Sequence, residues 1–334
     1  AGAQALSAGY QEYIVLGRDS QVFSFLEFVH EYEDSSFAAY TASESVVTLT
    51  ATLDGQTVIY DHWEDGYEDD PLNPVQGTTV TYVLNRGQVL SLASNGAGTA
   101  IDSVIPMPRD SADVRYDGGD RVVSLGGPVD LAHNMWPENL VYIGGAWEVY
   151  AKQALAGFLS YRIPVGRNSY VDNGGDTGSF APFKHVALQI AAFEDGTRVV
   201  VDNGTDQVVV TLSRGETYFT GFYDPRIPGV TGGAVDELGA PSIEVLENTL
   251  VSATKEVQVG ILTGSDGYLQ TRFFNAIPLK AYGRDYIVPI RGTGAADANL
   301  YLFNPNITEA QVTVFQSGQT DSFTIPATAA TSLD

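Results

Sequence analysis

The chain has 334 residues, no cysteine, and 41 acidic against 17 basic side chains, for a net charge of -24. So few cations exclude a nucleic-acid partner, which needs a basic surface, and disfavour anionic membrane surfaces. The missing thiols remove disulfides, thiolate metal sites and a cysteine nucleophile. An apolar fraction of 44% with 11% aromatics implies folded cores despite the charge. No apolar run approaches the ~18 residues that would cross a bilayer.

The chain opens Ala1-Gly2-Ala3-Gln4 without methionine. A secretory leader cut after a small residue leaves such an end, and the acidic, lysine-poor composition fits an exposed surface. The expectation is therefore a secreted or cell-surface protein, with residues 1–9 as a flexible arm. Short alternating runs bounded by Gly, Asn, Asp and Pro follow, each reading as a strand: Ser45–Leu53, Thr78–Leu84, Val208–Leu212, Val257–Leu262 and Gln311–Phe315. One stretch differs. Trp147, Tyr150, Ala151, Ala154, Leu155 and Phe158 recur at steps of three and four, a helix spacing, although Glu148-Val149-Tyr150 equally suits a strand. The fold class expected is all-β: tandem β-sandwich-like units with long loops and at most one or two short helices.

The chain also repeats itself. Tyr13-Ile14-Val15-Leu16-Gly17-Arg18 returns as Tyr161-Arg162-Ile163-Pro164-Val165-Gly166-Arg167 and as Tyr286-Ile287-Val288-Pro289-Ile290-Arg291-Gly292. Asp54-Gly55 matches Asp195-Gly196, Arg86-Gly87 matches Arg214-Gly215, and Val129-Asp130-Leu131 matches Val257-Gln258-Val259, in the same order. This spacing divides the chain into unit one over 10–160, unit two over 161–285 and a partial third unit over 286–334. The third is too short to close its own core, so its strands are expected to dock on unit two or on a neighbouring subunit. Unit one also carries an insertion, Asp61-His62-Trp63-Glu64-Asp65-Gly66-Tyr67-Glu68-Asp69-Asp70-Pro71-Leu72-Asn73-Pro74, where unit two has only a turn.

Three features give this repeat a family likeness. They are the Asp195–Val199 strand end, the Leu212–Glu216 hairpin, and Lys255–Val259 followed by Tyr282–Pro289. With the Asp61–Glu68 string, they make the chain resemble the N-terminal domain family of IgG-Fc-binding proteins, as found in large secreted microbial surface proteins. The resemblance spans about residues 10–292 and implies a β fold and an extracellular setting; it assigns no binding residue.

Candidate chemistry centres on acids. Asp61, Glu64, Asp65, Glu68, Asp69 and Asp70 crowd the insertion beside a glycine, a composition that suits Ca²⁺ and its many oxygen ligands. The alternative is a solvated acidic loop whose Trp63 and Tyr67 pack on the sheet, with His62 a stacked loop residue. Asp110, Asp113, Asp117 and Asp120 form a second group, of which Asp117 and Asp120 are the candidate ligands; Arg109, Arg115 and Arg121 are placed to pair with it instead. Asp172–Asp176 reads as turn chemistry. No nucleophile elbow, zinc-protease or phosphate-loop motif is present. His133 is the best placed of four scattered histidines and reads as structural. The expected function is non-enzymatic: a subunit of a microbial cell-surface filament, sheath or layer, stabilised by Ca²⁺ and self-associating. The alternative is an adhesin or glycan-binding module meeting a glycan or host surface through Trp63, Tyr67 and Trp136.

Overall fold

The computed structural model describes residues 9–33, 41–75, 77–93, 103–138, 144–169, 183–223, 231–232, 239–264, 271–288, 300–316 and 318–333. Nine strands come from the first part of the chain: β1 (Gln11–Ile14), β2 (Ala42–Ala51), β3 (Gln56–Asp61), β4 (Val80–Leu84), β5 (Val89–Leu92), β6 (Val104–Pro106), β7 (Arg121–Leu125), β8 (Val129–Pro137) and β9 (Gly145–Glu148). Ten follow: β10 (Ser160–Arg162), β11 (His185–Ala192), β12 (Thr197–Asp202), β13 (Gln207–Leu212), β14 (Thr217–Phe219), β15 (Phe222–Tyr223), β16 (Thr231–Gly232), β17 (Leu250–Ala253), β18 (Val257–Gly264) and β19 (Arg272–Asn275). The last four are β20 (Leu300–Asn304), β21 (Ala310–Gln316), β22 (Gln319–Ile325) and β23 (Ala329–Leu333).

The sequence repeat reappears as a repeat of strand order. Sheet A runs β1-β7-β3-β4 and sheet C runs β10-β17-β12-β13; sheet B runs β5-β2-β8-β9, with β6 also on β2, and sheet D runs β14-β11-β18-β19. All the pairings are antiparallel. The turns repeat in detail too. Asp54 Oδ1 accepts from the Arg86 amide at 3.0 Å, and Asp195 Oδ1 accepts from the Arg214 amide at 2.9 Å. The next residue is left-handed in both, Gly87 at φ 77° and Gly215 at φ 74°, which is why glycine stands there.

Three apolar layers lie between the four sheets. Tyr13, Val58, Tyr60 and Val122 of sheet A meet Val47, Leu49 and Leu131 of sheet B. Val199, Val201 and Val251 of sheet C meet Leu188, Ile190, Val259 and Ile261 of sheet D. Sheets B and D meet through Met135 and Trp147 against Ala187, Leu262 and Phe273, with Trp147 stacked on Phe273 at 4.6 Å. The all-β class holds, at 46% strand and 8% helix, but plain sandwiches do not: the small antiparallel sheets are arranged as a four-blade propeller. The physical reason is visible in β11 and β18, each buried at all eight positions. His185–Ala192 is a nearly continuous apolar run, the pattern of a strand covered on both faces.

Helix content differs in place as well as kind. The 147–158 stretch forms β9 and then a 3₁₀ turn, Lys152–Leu155, because Trp147 is committed to the Phe273 stack. The one α-helix among the described residues, α1 (Asp19–Glu33), lies between β1 and β2. It buries Val22, Phe25, Leu26 and Val29 completely, at the i, i+3, i+4, i+7 spacing of one face. No helix among the described residues is long and apolar enough to cross a membrane.

The C-terminal strands make two two-stranded sheets, β20-β23 and β21-β22. They touch the second half through the Ala330 amide on Glu247 Oε1 at 2.8 Å and through Tyr301 edge-on to Phe183 at 4.8 Å.

Candidate functional site

The insertion turns inward. It leaves β3 at Asp61, bends at Gly66, whose amide bonds the Trp63 carbonyl at 3.1 Å, and folds onto residues 115–121 at the start of β7. The chain after β1 comes in from the other side. Gly118 packs so tightly on Gly17 that a Cβ there would lie 2.0 Å from the Gly17 carbonyl oxygen. That approach brings Arg18 and Asp19, far away in sequence, against Asp117.

Asp120 is fully buried and fully engaged. Its Oδ2 accepts from the Tyr60 hydroxyl at 2.7 Å and the Asp117 amide at 3.1 Å, and its Oδ1 from the Trp63 amide at 3.1 Å. His62 Nδ1 lies 3.5 Å from Asp120 Oδ2 and 2.8 Å from the Arg115 carbonyl. A carbonyl only accepts, so Nδ1 carries a proton. Burial works against the charged ring, but the bond to Asp120 outweighs it and pushes the His62 pKa up to about 9, so His62 is an imidazolium at neutral pH.

Arg109, from the loop after β6, ties two acids together. Its Nε donates to Asp117 Oδ2 at 3.0 Å, and its Nη2 donates to Glu64 Oε1. Asp117 Oδ1 accepts from the Trp63 indole at 2.9 Å. Arg18 lies 3.9 Å from the Trp63 ring centre and Arg109 4.8 Å, both within cation–π range. Asp19 is hydrogen-bonded to Asp117; burial first, then the Asp117 charge, raise its pKa well above the ordinary carboxylate range. Burial and the neighbouring Asp120 and Asp117 likewise push Glu64 up to about 8. The cluster thus sets Glu64, Asp117, Asp120 and Asp19 opposite Arg109, Arg18 and His62, with Asp19 and Glu64 both holding their protons more tightly than ordinary carboxyls.

A second group seals the sheet behind. Arg121 donates through Nε to Glu12 Oε1 at 2.7 Å and through Nη1 to the Glu68 carbonyl at 3.0 Å, with Asp61 Oδ2 at 3.8 Å. Asp61 accepts from the Glu68 amide at 3.0 Å, and burial pushes its pKa up to about 6.

The acids singled out from sequence therefore go to different places. Glu64, Asp117 and Asp120 join the inner cluster, and Asp61 and Glu68 the Arg121 group. Asp65 accepts from Thr78 at 2.6 Å, Asp70 caps its own turn through the Leu72 amide, and Asp69 is exposed. Among the described residues one set comes close enough to hold a metal, His62, Glu64 and Asp120, with donor atoms within 4.8 Å. One imidazole and two carboxylates suit zinc or manganese rather than Ca²⁺. Even for those ions the fit is poor: His62 Nδ1 and both Asp120 oxygens are engaged, Glu64 Oε1 takes Arg109 and the Arg115 amide, and Glu64 Oε2 lacks a partner. The aromatics do not form one patch. Trp63 and Tyr67 both dock on residues 117–119, Tyr67 through its hydroxyl on the Gly119 carbonyl at 2.5 Å, whereas Trp136 lies in β8 opposite Glu44. The 172–176 loop lies outside the described residues. His133 is buried between the Leu16 carbonyl and the Ser45 hydroxyl, both at 2.7 Å.

Sequence reasoning missed Asp19 and set His62 aside as a stacked loop residue. Asp19 also borders a cleft of about 690 Å³ between the start of α1 and the Met107–Ser111 loop, with Arg18, Glu27, Trp63 and Arg109 on its walls. Asp19 Oδ1 and Arg109 Nη1 are buried there without hydrogen-bond partners. No family model matches the chain, and no curated protein or solved structure resembles it significantly. The likeness to the IgG-Fc-binding N-terminal domain family accordingly stays a resemblance of motifs.

Proposed function

We propose that the chain is a non-enzymatic structural protein of an exposed surface, a subunit of a microbial cell-surface filament, sheath or layer. The observation that supports this most is the buried, internally bonded cluster around Arg109. Its acids are bonded by Arg109, Trp63 and Tyr60 and point inward, so this loop serves as a fastening for sheet A. In a protein without disulfides such a fastening fills the bracing role. The remaining acids keep copies apart until salt screens them. Calcium acts in this reading as a screening ion, so magnesium replaces it and EDTA leaves the melting temperature unchanged. Light scattering across a concentration series tests the reading: the chain assembles at high ionic strength, and a monomer under every condition would remove it.

A second reading has its own observation. The cleft of about 690 Å³ is lined by Trp63 beside Arg18, Asp19, Glu27 and Arg109, an aromatic face among polar groups of the kind a sugar-binding adhesin would need. A glycan array with the native chain and with Asp19→Asn separates the two; no bound glycan leaves the structural reading alone.

A further inference from the structure

The chain has 18 tyrosines and no cysteine, so a covalent brace within it has to come from side chains other than thiols. Buried tyrosine hydroxyls mostly serve the backbone or an acid. Tyr13 and Tyr161 bond the first carbonyls of β8 and β18, Tyr218 the Pro241 carbonyl, and Tyr60 the Asp120 carboxylate. Tyr82 and Tyr116 serve each other: their hydroxyls lie 3.0 Å apart, across 34 residues of sequence.

The two rings are held differently. Tyr116 is 8% exposed and lies edge-on to Tyr60 at 4.9 Å, with His62 at the same distance. Its carbonyl accepts from the Ser45 hydroxyl at 3.4 Å. Tyr82 is half-buried against the same apolar layer. It stands on β4, the outer strand of sheet A, opposite Val58 of β3. One phenol is thus fixed inside, the other reaches solvent, and their hydroxyls touch. Burial, then the bond to Tyr116, raises the Tyr82 pKa above the ordinary phenol range. Tyr82 therefore keeps its proton at neutral pH and releases it only when oxidised.

We propose that Tyr82 and Tyr116 are the site of an oxidative cross-link, a carbon–carbon bond between their rings, made by an external one-electron oxidant of the kind a peroxidase forms from hydrogen peroxide. The oxidant takes an electron from the accessible Tyr82 ring, and the hydroxyl proton goes to water. A hydrogen atom then passes from the Tyr116 hydroxyl to the Tyr82 oxygen along the 3.0 Å contact, which moves the radical inward and restores Tyr82. A second oxidation of Tyr82 leaves two radicals side by side. A tilt of the half-buried Tyr82 ring joins the ring carbons next to the two oxygens. The hydrogens on those carbons move to the oxygens, so both phenols are restored. In all, two electrons and two protons leave the protein, and one hydrogen peroxide takes them up to become two waters. The link bolts the outer strand of sheet A to residues 115–121, the segment that carries Asp117 and Asp120. It closes the chain as a disulfide would and stabilises by the same restriction of the unfolded state. It is independent of whether the chain assembles.

The purified chain, oxidised at low protein concentration with a peroxidase and hydrogen peroxide, tests this. A soluble one-electron photo-oxidant repeats the reaction without an enzyme's bulk. Dityrosine fluorescence, peptide mapping by mass spectrometry and calorimetry read the outcome. A monomeric product lighter by two hydrogens is expected, with a linked peptide pair containing Tyr82 and Tyr116. Its melting temperature rises by roughly 5 °C or more. Tyr82→Phe and Tyr116→Phe, each lacking only a hydroxyl, abolish the emission and the thermal gain. Tyr286→Phe, at a ring that is 59% exposed, leaves both unchanged. Absence of a link with both oxidants, a link that maps to other tyrosines or forms only between chains, or emission that survives Tyr82→Phe overturns the inference. Emission that is lost with Tyr286→Phe overturns it too, since exposure rather than contact would then choose the partners.

Discussion

Arg109 shows how a buried charge can be indispensable without being a net source of stability. It faces Glu64, Asp117 and Asp19 at once, and removing it would leave the fully buried Asp117 without its guanidinium partner. Arg109→Ala is therefore expected to cost about 3–5 kcal/mol in urea unfolding, with part of the loss restored by adding Glu64→Gln. The same cluster sets a pH dependence. Asp61, Glu64 and His62 all bind their protons more tightly folded than unfolded, with pKa values near 6, 8 and 9. For each, the stabilisation is complete below the unfolded pKa and is lost as pH rises through the folded one. The melting temperature should fall steadily from pH 5 to pH 9; a curve rising over that range would contradict the assignments. The alternating charges of 109–121 were visible in the sequence, and the structure pairs Arg109 with Asp117, Arg115 with Asp113 and Arg121 with Glu12. Asp19 was not legible, because only a glycine-to-glycine contact brings it to Asp117.

Elements were easiest to read where side chains alternate. Ser45–Leu53 became β2, Thr78–Leu84 became β4, and Val257–Leu262 the start of β18. α1 was readable but went unread: Val22, Phe25, Leu26 and Val29 have the helical spacing, in a segment rich in the aromatics and β-branched residues usual in strands. The double coverage of β11 needed its apolar run to be weighed against the alternation elsewhere. Junctions between elements are where single atoms matter most. Gly118→Ala would drive a methyl into the Gly17 carbonyl and is expected to cost at least about 2 kcal/mol. Gly77→Ala, with nothing within 4 Å of the added carbon, should change stability by less than about 0.5 kcal/mol. Differential scanning calorimetry on the pair distinguishes close packing from a general intolerance of the loops.

At the scale of the molecule, the layer between sheets B and D joins the halves. Gln258 reinforces it, donating to the Ile14 carbonyl at 2.8 Å and accepting from the Tyr150 amide at 2.8 Å. One cooperative unfolding transition is expected for the two halves. Trp147→Ala would empty the centre of that layer at a cost of about 3–5 kcal/mol and split the calorimetric peak in two; an unsplit peak would mean that the halves are joined by something else. The repeat made the two halves legible from sequence, whereas the layer joining them was not, since Trp147 and Phe273 signal their stack by no spacing. Trp147 also has an optical consequence. All three tryptophans, Trp63, Trp136 and Trp147, belong to the first half, and Trp147 touches the second through Phe273. Fluorescence excited at tryptophan thus watches the first half and its join while the second half stays dark, so separation of the halves can be timed by emission colour without attaching any dye.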